Sequence, residues 1–143
     1  MINFTTYLAS GEILSSGMCQ ESMLEAQANP EKGIMVLEGA SNFKTQYILN
    51  GQIIDKPSSP ETGAYKFDYT SKEWIPDISK QESDIKLLRN TLLLQSDWTD
   101  TVSAPTRLGS EKYTAWQTYR QQLRDITNQP GYPYQVIWPQ PPQ

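Results

Sequence analysis

The chain has no histidine and one cysteine, and these two scarcities exclude much of the chemistry open to 143 residues. Without histidine there is no Ser-His-Asp triad, no Cys-His pair, no His-ligated zinc and no imidazole switch near neutral pH. A lone Cys19 makes no internal disulfide and no Cys cluster for zinc or iron–sulfur. It reads as a small apolar side chain. Long apolar runs are missing too. Ile34–Leu37 stops at four residues, far short of the roughly 18 that a membrane span needs. The opening, MINFTTYLASGE, lacks a basic start followed by an apolar run, so no secretory signal is expected. No basic excess exists either. The net charge is −4, split as −5 over residues 1–78 and +1 over residues 79–143, which leaves nothing to counter a polyphosphate backbone. Nucleic acid, membrane insertion, metal and cofactor are all expected to be absent.

What remains is 37 % hydrophobic and 20 % charged residues, enough for one domain or two small modules. Ile2–Leu8 and Glu12–Ser16 flank Ala9-Ser10-Gly11, a connection suited to a bulged hairpin. Glu21–Ala28 consists of good helix formers and should form a helix stopped by Asn29-Pro30, with Met23, Leu24 and Gln27 inward. Ile34–Leu37 reads as a buried strand. Tyr47–Ile54 centres on Asn50-Gly51, the pair a type I′ turn requires, and this pairs Leu49 with Gln52, Ile48 with Ile53 and Tyr47 with Ile54. Lys56–Gly63, with two prolines and a glycine, breaks the periodicity. Tyr65–Asp68 and Glu73–Ile75 then form short strands, with Tyr65, Phe67 and Tyr69 alternating onto one face.

The last third reads as helical. Ser79 or Asp77 caps a helix to about Gln95, with Ile85, Leu88 and Leu92 inward. A loop broken by Pro105 spans Ser96 to Gly109. Ser110 caps a second helix to about Ile126, whose inner face is Trp116, Tyr119, Leu123 and Ile126. Pro130, Pro133, Pro139, Pro141 and Pro142 keep the end extended. The expected class is α+β. It comprises a β-rich module over residues 1–57, a Pro-rich linker over 58–63, and an aromatic β-hairpin plus helical hairpin over 64–143.

Few residues suggest catalysis. Ser41-Asn42-Phe43-Lys44 and Ser83-Asp84-Ile85-Lys86 match S-x-x-K, but its companions S-D-N and K-T-G are missing. Asp97 and Asp100, beside Trp98, are the carboxylate pair nearest in form to a glycosidase, and both also suit a helix end and a turn. Arg120 and Arg124 lie four apart on one helical face. They either bridge to Asp84 or Asp97 or clamp a partner's carbonyl or carboxylate. Trp98, Trp116, Tyr119 and Leu123 are candidates for an aromatic core. Tyr132, Tyr134 and Trp138 join the two arginines as candidate partner contacts.

Leu93–Thr99, Trp116–Ile126, Gln129–Pro133 and Ile137–Pro139 together closely resemble the bacteriophage tail assembly chaperone module often found at the C-terminal end of tail-fibre proteins. The resemblance covers about residues 80–142. The N-terminal part is similar, more loosely, to small tail-fibre-associated proteins through Gly11-Glu12-Ile13-Leu14, Gly17, Tyr47–Pro57 and Phe67–Trp74. The resemblance implies a non-enzymatic tail protein, structural or adaptor, whose partner is a phage tail or tail-fibre protein, with self-association in several copies also compatible. It implies the tail of the virion after assembly and the host cytoplasm during assembly. The alternatives are a transient assembly chaperone absent from the virion and, more remotely, a glycan-degrading tail enzyme.

Overall fold

The computed structural model describes residues 1–143 and divides into two units, residues 1–61 with 65–75, and residues 62–64 with 76–143. The class is α+β. In the first unit, β1 (Ile2–Tyr7) is the centre of an antiparallel sheet between β2 (Ile13–Cys19) and β3 (Met35–Glu38). The β1–β2 hairpin carries the expected irregularity, between Thr6 and Tyr7. Its turn ends at Gly11, whose φ of 93° and position against the Ile48 carbonyl leave no room for a side chain. The Ile48 amide bonds back to the Gly11 carbonyl at 2.8 Å, joining the hairpin to β4 (Gln46–Leu49). Strands β4 and β5 (Gln52–Asp55) pair in the predicted register, and Asn50 and Gly51 take the positive φ values, 51° and 74°.

Two expectations for this unit change. Glu21–Ala28 is not an α-helix but two 3₁₀ turns, Glu21–Met23 and Glu25–Gln27, followed by a third at Pro30–Lys32. No residue of these turns is buried, so no packing supports a continuous helix, and Ala28 is already extended ahead of Asn29-Pro30. Met23 is exposed rather than inward, and β3 is an edge strand only half-buried along its middle. Buried Thr5 sits where an apolar residue would be usual, and its hydroxyl bonds to the Gly39 carbonyl at 2.8 Å and to Ser41 Oγ at 2.7 Å.

The hairpin of β6 (Tyr65–Asp68) and β7 (Glu73–Pro76) forms where predicted, but its strands group with the first unit rather than with the helices. The reason is aromatic. Phe67 packs on Tyr47 at 5.3 Å between ring centroids, and Tyr69 and Trp74 pack edge-on against Phe67. The Lys56 ammonium lies 5.0–5.7 Å from the centroids of Phe67, Tyr69 and Trp74 and donates to the Phe43 carbonyl at 2.9 Å.

The second unit is built on α1 (Ile78–Gln95), capped by Asp77, and α3 (Ser110–Arg124), which continues as a 3₁₀ turn over Asp125–Asn128. Tyr119, Leu123 and Ile126 form its buried centre, with Ile85, Leu92, Leu93 and Trp116 packed around them. Leu88 is exposed instead, because the inner arc of α1 runs through Gln81, Ile85, Leu92 and Leu93. The expected loop over 96–109 contains a 3₁₀ turn, Asp97–Thr99, and a short helix α2 (Ala104–Leu108). Pro105 lies in the first turn of α2, where no amide donor is needed, so the proline starts a helix rather than breaking a loop. Helix α3 has Gly109, not Ser110, at its N-cap. The end of the chain turns back at Gln129–Gln135, through a cis Tyr132–Pro133 peptide, and Tyr132, Val136 and Trp138 cover the core.

Candidate functional site: the Arg120 hub and the tail

Helix α1 ends with carbonyls that have no partner within the helix. Ser96 turns its hydroxyl onto two of them, Leu92 and Leu93, at 3.0 Å each. Arg120 of α3 reaches the same point. Its guanidinium donates to the Leu93 carbonyl and to Ser96 Oγ at 2.7 Å, and to Asp97 Oδ1 at 3.0 Å, with Asp100 Oδ2 at 3.6 Å. A cation at a helix C-terminus is also favoured by the helix dipole. Thr99, fully buried, donates its hydroxyl to the Ser96 carbonyl at 2.7 Å, and Gln117 donates to the Thr99 carbonyl. The segment Leu93–Thr99 is therefore wrapped around one side chain.

Of the two roles left open for Arg120, the structure shows the internal bridge, and only 6 % of the residue is exposed. Arg124, one turn on, is exposed and donates to Gln121 Oε1 at 3.1 Å. The bridge to Asp97 forms, whereas Asp84 pairs with Lys80 at 2.8 Å. Asp97 and Asp100 both face the Arg120 guanidinium, at 3.0 and 3.6 Å, an arrangement that fixes a helix junction.

The aromatic candidates separate. Tyr119 and Leu123 are buried, and Trp116 is half-buried, edge-on to both Trp98 and Tyr119 at 5.3 and 5.6 Å. Trp98 is 46 % exposed, so it forms the rim and not the core. The Arg107 guanidinium stacks on its ring and donates to its carbonyl at 2.7 Å. Tyr132 and Trp138 are half-buried against the core, and the Tyr134 hydroxyl donates to the Ala64 carbonyl at 2.7 Å. Through Tyr132, Val136 and Trp138 the tail thus covers the helices.

Residues 82–143 match the family model described as phage tail assembly chaperone protein. The matched segment takes in nearly all of α1, the Arg120 hub and the tail, so the helical module is similar to that phage tail family. No curated protein and no solved structure matches the chain. No helix is long and apolar enough to cross a membrane.

Two glutamines in the module escaped sequence reasoning. Gln81, buried on the inner arc of α1, accepts from the Ala64 amide at 2.7 Å and donates to the Pro133 carbonyl at 3.1 Å. Gln129 grips the main chain of Ile137 through both amide atoms at 2.8 Å. The first has a signal in the sequence, a polar residue four positions before Ile85 on the apolar arc. The second has none.

Proposed function

We propose that the protein is a non-enzymatic component of a bacteriophage tail, a structural adaptor that works by protein–protein contact at the fibres or tail tip. The observation that carries this reading is the division of labour on α1 within the family-matched segment. The polar groups at its C-terminal end are consumed by internal bonds at the Arg120 hub, while Leu87 and Leu94, seven residues apart, stay 68 % and 71 % exposed. Apolar side chains on a helix that is already packed on its other side favour a partner. Among the residues first assigned to partner contact, Arg124 is the exposed one, and the tail contributes what the half-buried Tyr134 and Trp138 leave uncovered. The partner is a phage tail or tail-fibre protein.

The family's description favours a second reading, a transient assembly chaperone that leaves before the virion is complete. Mass spectrometry of purified particles separates the two. Stoichiometric copies support the adaptor, and absence from particles with presence in infected-cell lysate supports the chaperone. In either case Leu87→Gln with Leu94→Gln should leave the melting temperature near wild type and reduce association with tail assemblies. Unchanged association would remove α1 as the contact surface.

A further inference from the structure

Residues 129–143 contain neither helix nor strand, and most of what holds them is side chain. Tyr132 and Gln135 donate to the Gln129 and Gly131 carbonyls, which closes the turn on itself. The links to the rest of the unit are the Gln129 amide to the Ile126 carbonyl at 3.2 Å, Gln81 to the Pro133 carbonyl and the Tyr134 hydroxyl to the Ala64 carbonyl, whereas the two-point grip of Gln129 on Ile137 is internal to the segment. Past Ile137 the main chain has no further hydrogen bond. Against this, Tyr132, Val136 and Trp138 lie on Tyr119, Leu123 and Ile126, so the segment covers the centre of the helical core.

The seat has a flaw. The Tyr132 hydroxyl is buried and has no hydrogen-bond partner, which penalises the closed arrangement relative to one in which water reaches it. A groove of about 740 Å³ is lined by Gln122 of α3 and Asp125 on one side and by Gln129, Gly131, Gln135 and Ile137 of the segment on the other, so the segment is not packed against α3 along its whole length. The turn is also tight. A side chain at Gly131 would stand 2.3 Å from the Gln135 carbonyl oxygen.

We propose that residues 129–143 are a releasable strap, which lifts from Leu123 and Ile126 in a local opening while α1 and α3 stay folded. The unpaired Tyr132 hydroxyl and the tight Gly131 turn set its balance in opposite ways. Opening uncovers the most apolar surface of the module, so the strap controls when that surface is available. The device is a property of the fold and stands whichever role the protein has in the tail.

Hydrogen exchange by NMR on the full chain tests this, with the Gln135 and Ile137 amides compared with Leu123 and Ile126. The strap amides should exchange at least about tenfold faster than the two core amides. Tyr132→Phe removes the unpaired hydroxyl and should slow exchange of the strap amides roughly fivefold. Gly131→Ala should speed strap exchange by about tenfold while leaving Leu123 and Ile126 as in wild type. Equal protection of strap and core in the wild-type chain would overturn the proposal, since opening would then be global unfolding. So would faster or unchanged strap exchange in Tyr132→Phe. If Gly131→Ala exposes core and strap together, the segment is part of the core and the proposal is likewise lost.

Discussion

Arg120 and Arg124 are one helical turn apart and have opposite fates, because α3 turns the first toward the end of α1 and the second toward solvent. Arg120→Ala would remove the guanidinium from Leu93, Ser96 and Asp97 together and leave a hole beside Ser96, a loss of about 2–4 kcal/mol in denaturant unfolding. Arg120→Lys should recover little of it, because an ammonium cannot reach Leu93, Ser96 and Asp97 with one planar fork. Arg124→Ala should stay within about 0.5 kcal/mol of wild type. Equal effects of the two alanine variants would show that the hub is not where stability resides. Asp68 offers a second test at this scale. The Ser71 side-chain bond, with backbone bonds from the turn, holds its carboxyl below the usual aspartate value. Because the folded-state value is depressed, the stabilisation is present above the unfolded-state value and is lost as pH falls through the folded one. Amide shifts of Thr70 and Ser71 should therefore move on acidification below the ordinary aspartate range, and Asp68→Asn should abolish that movement.

At the scale of elements, the β6–β7 hairpin shows what a cation can hold together. Lys56 lies just past β5, at the start of the Pro-rich stretch, yet its ammonium is shared by three rings of a hairpin that begins nine residues later. Lys56→Met keeps the aliphatic stem and loses the charge, which should cost roughly 1–2 kcal/mol and raise hydrogen exchange in Tyr65–Pro76 before other strands. Uniform protection of the hairpin in the variant would mean that ring packing alone suffices. The hairpins and the two long helices were legible in the sequence because their signals are local: Asn50-Gly51 dictates its turn, and Asp77 with the spacing of Tyr119, Leu123 and Ile126 marks helix start and face. What was not legible depends on distant partners. Nothing within Ser96–Gly109 announces that Pro105 opens a helix, since that rests on Ala104 being fully buried. Equally, the Arg120–Arg124 spacing says that they share a helix side but not which of them meets the end of α1. The residues of the hub were within reach of the Asp97 bridge already weighed, while Lys56 and Gln129 bind main chain or rings that no spacing rule connects.

At the scale of the whole molecule, the path of the chain makes the two units unequal under cleavage. Residues 62–64 belong with the helices, 65–75 with the sheets, and 76–143 with the helices again, so one cut cannot separate the units cleanly. A cut after Glu61 leaves Ala64 with its three bonds: its carbonyl accepts from the Asp77 amide at 2.9 Å and the Tyr134 hydroxyl at 2.7 Å, and its amide donates to Gln81 Oε1 at 2.7 Å. The helical unit therefore leaves complete, carrying a hairpin stripped of Tyr47 and Lys56. The fragment 1–61 loses Phe67, Tyr69 and Trp74, the rings that cover Tyr47 and surround Lys56. The expected result is an asymmetric pair. Fragment 62–143 should keep the helical circular dichroism of the intact chain and melt cooperatively, with protease cutting first inside Tyr65–Pro76. Fragment 1–61 should melt well below the intact protein or fail to fold, and adding a peptide of residues 64–76 should raise its stability. A fragment 62–143 without cooperative melting would show that the helices depend on the sheets, and the chain would then be one folding unit whatever its division in space.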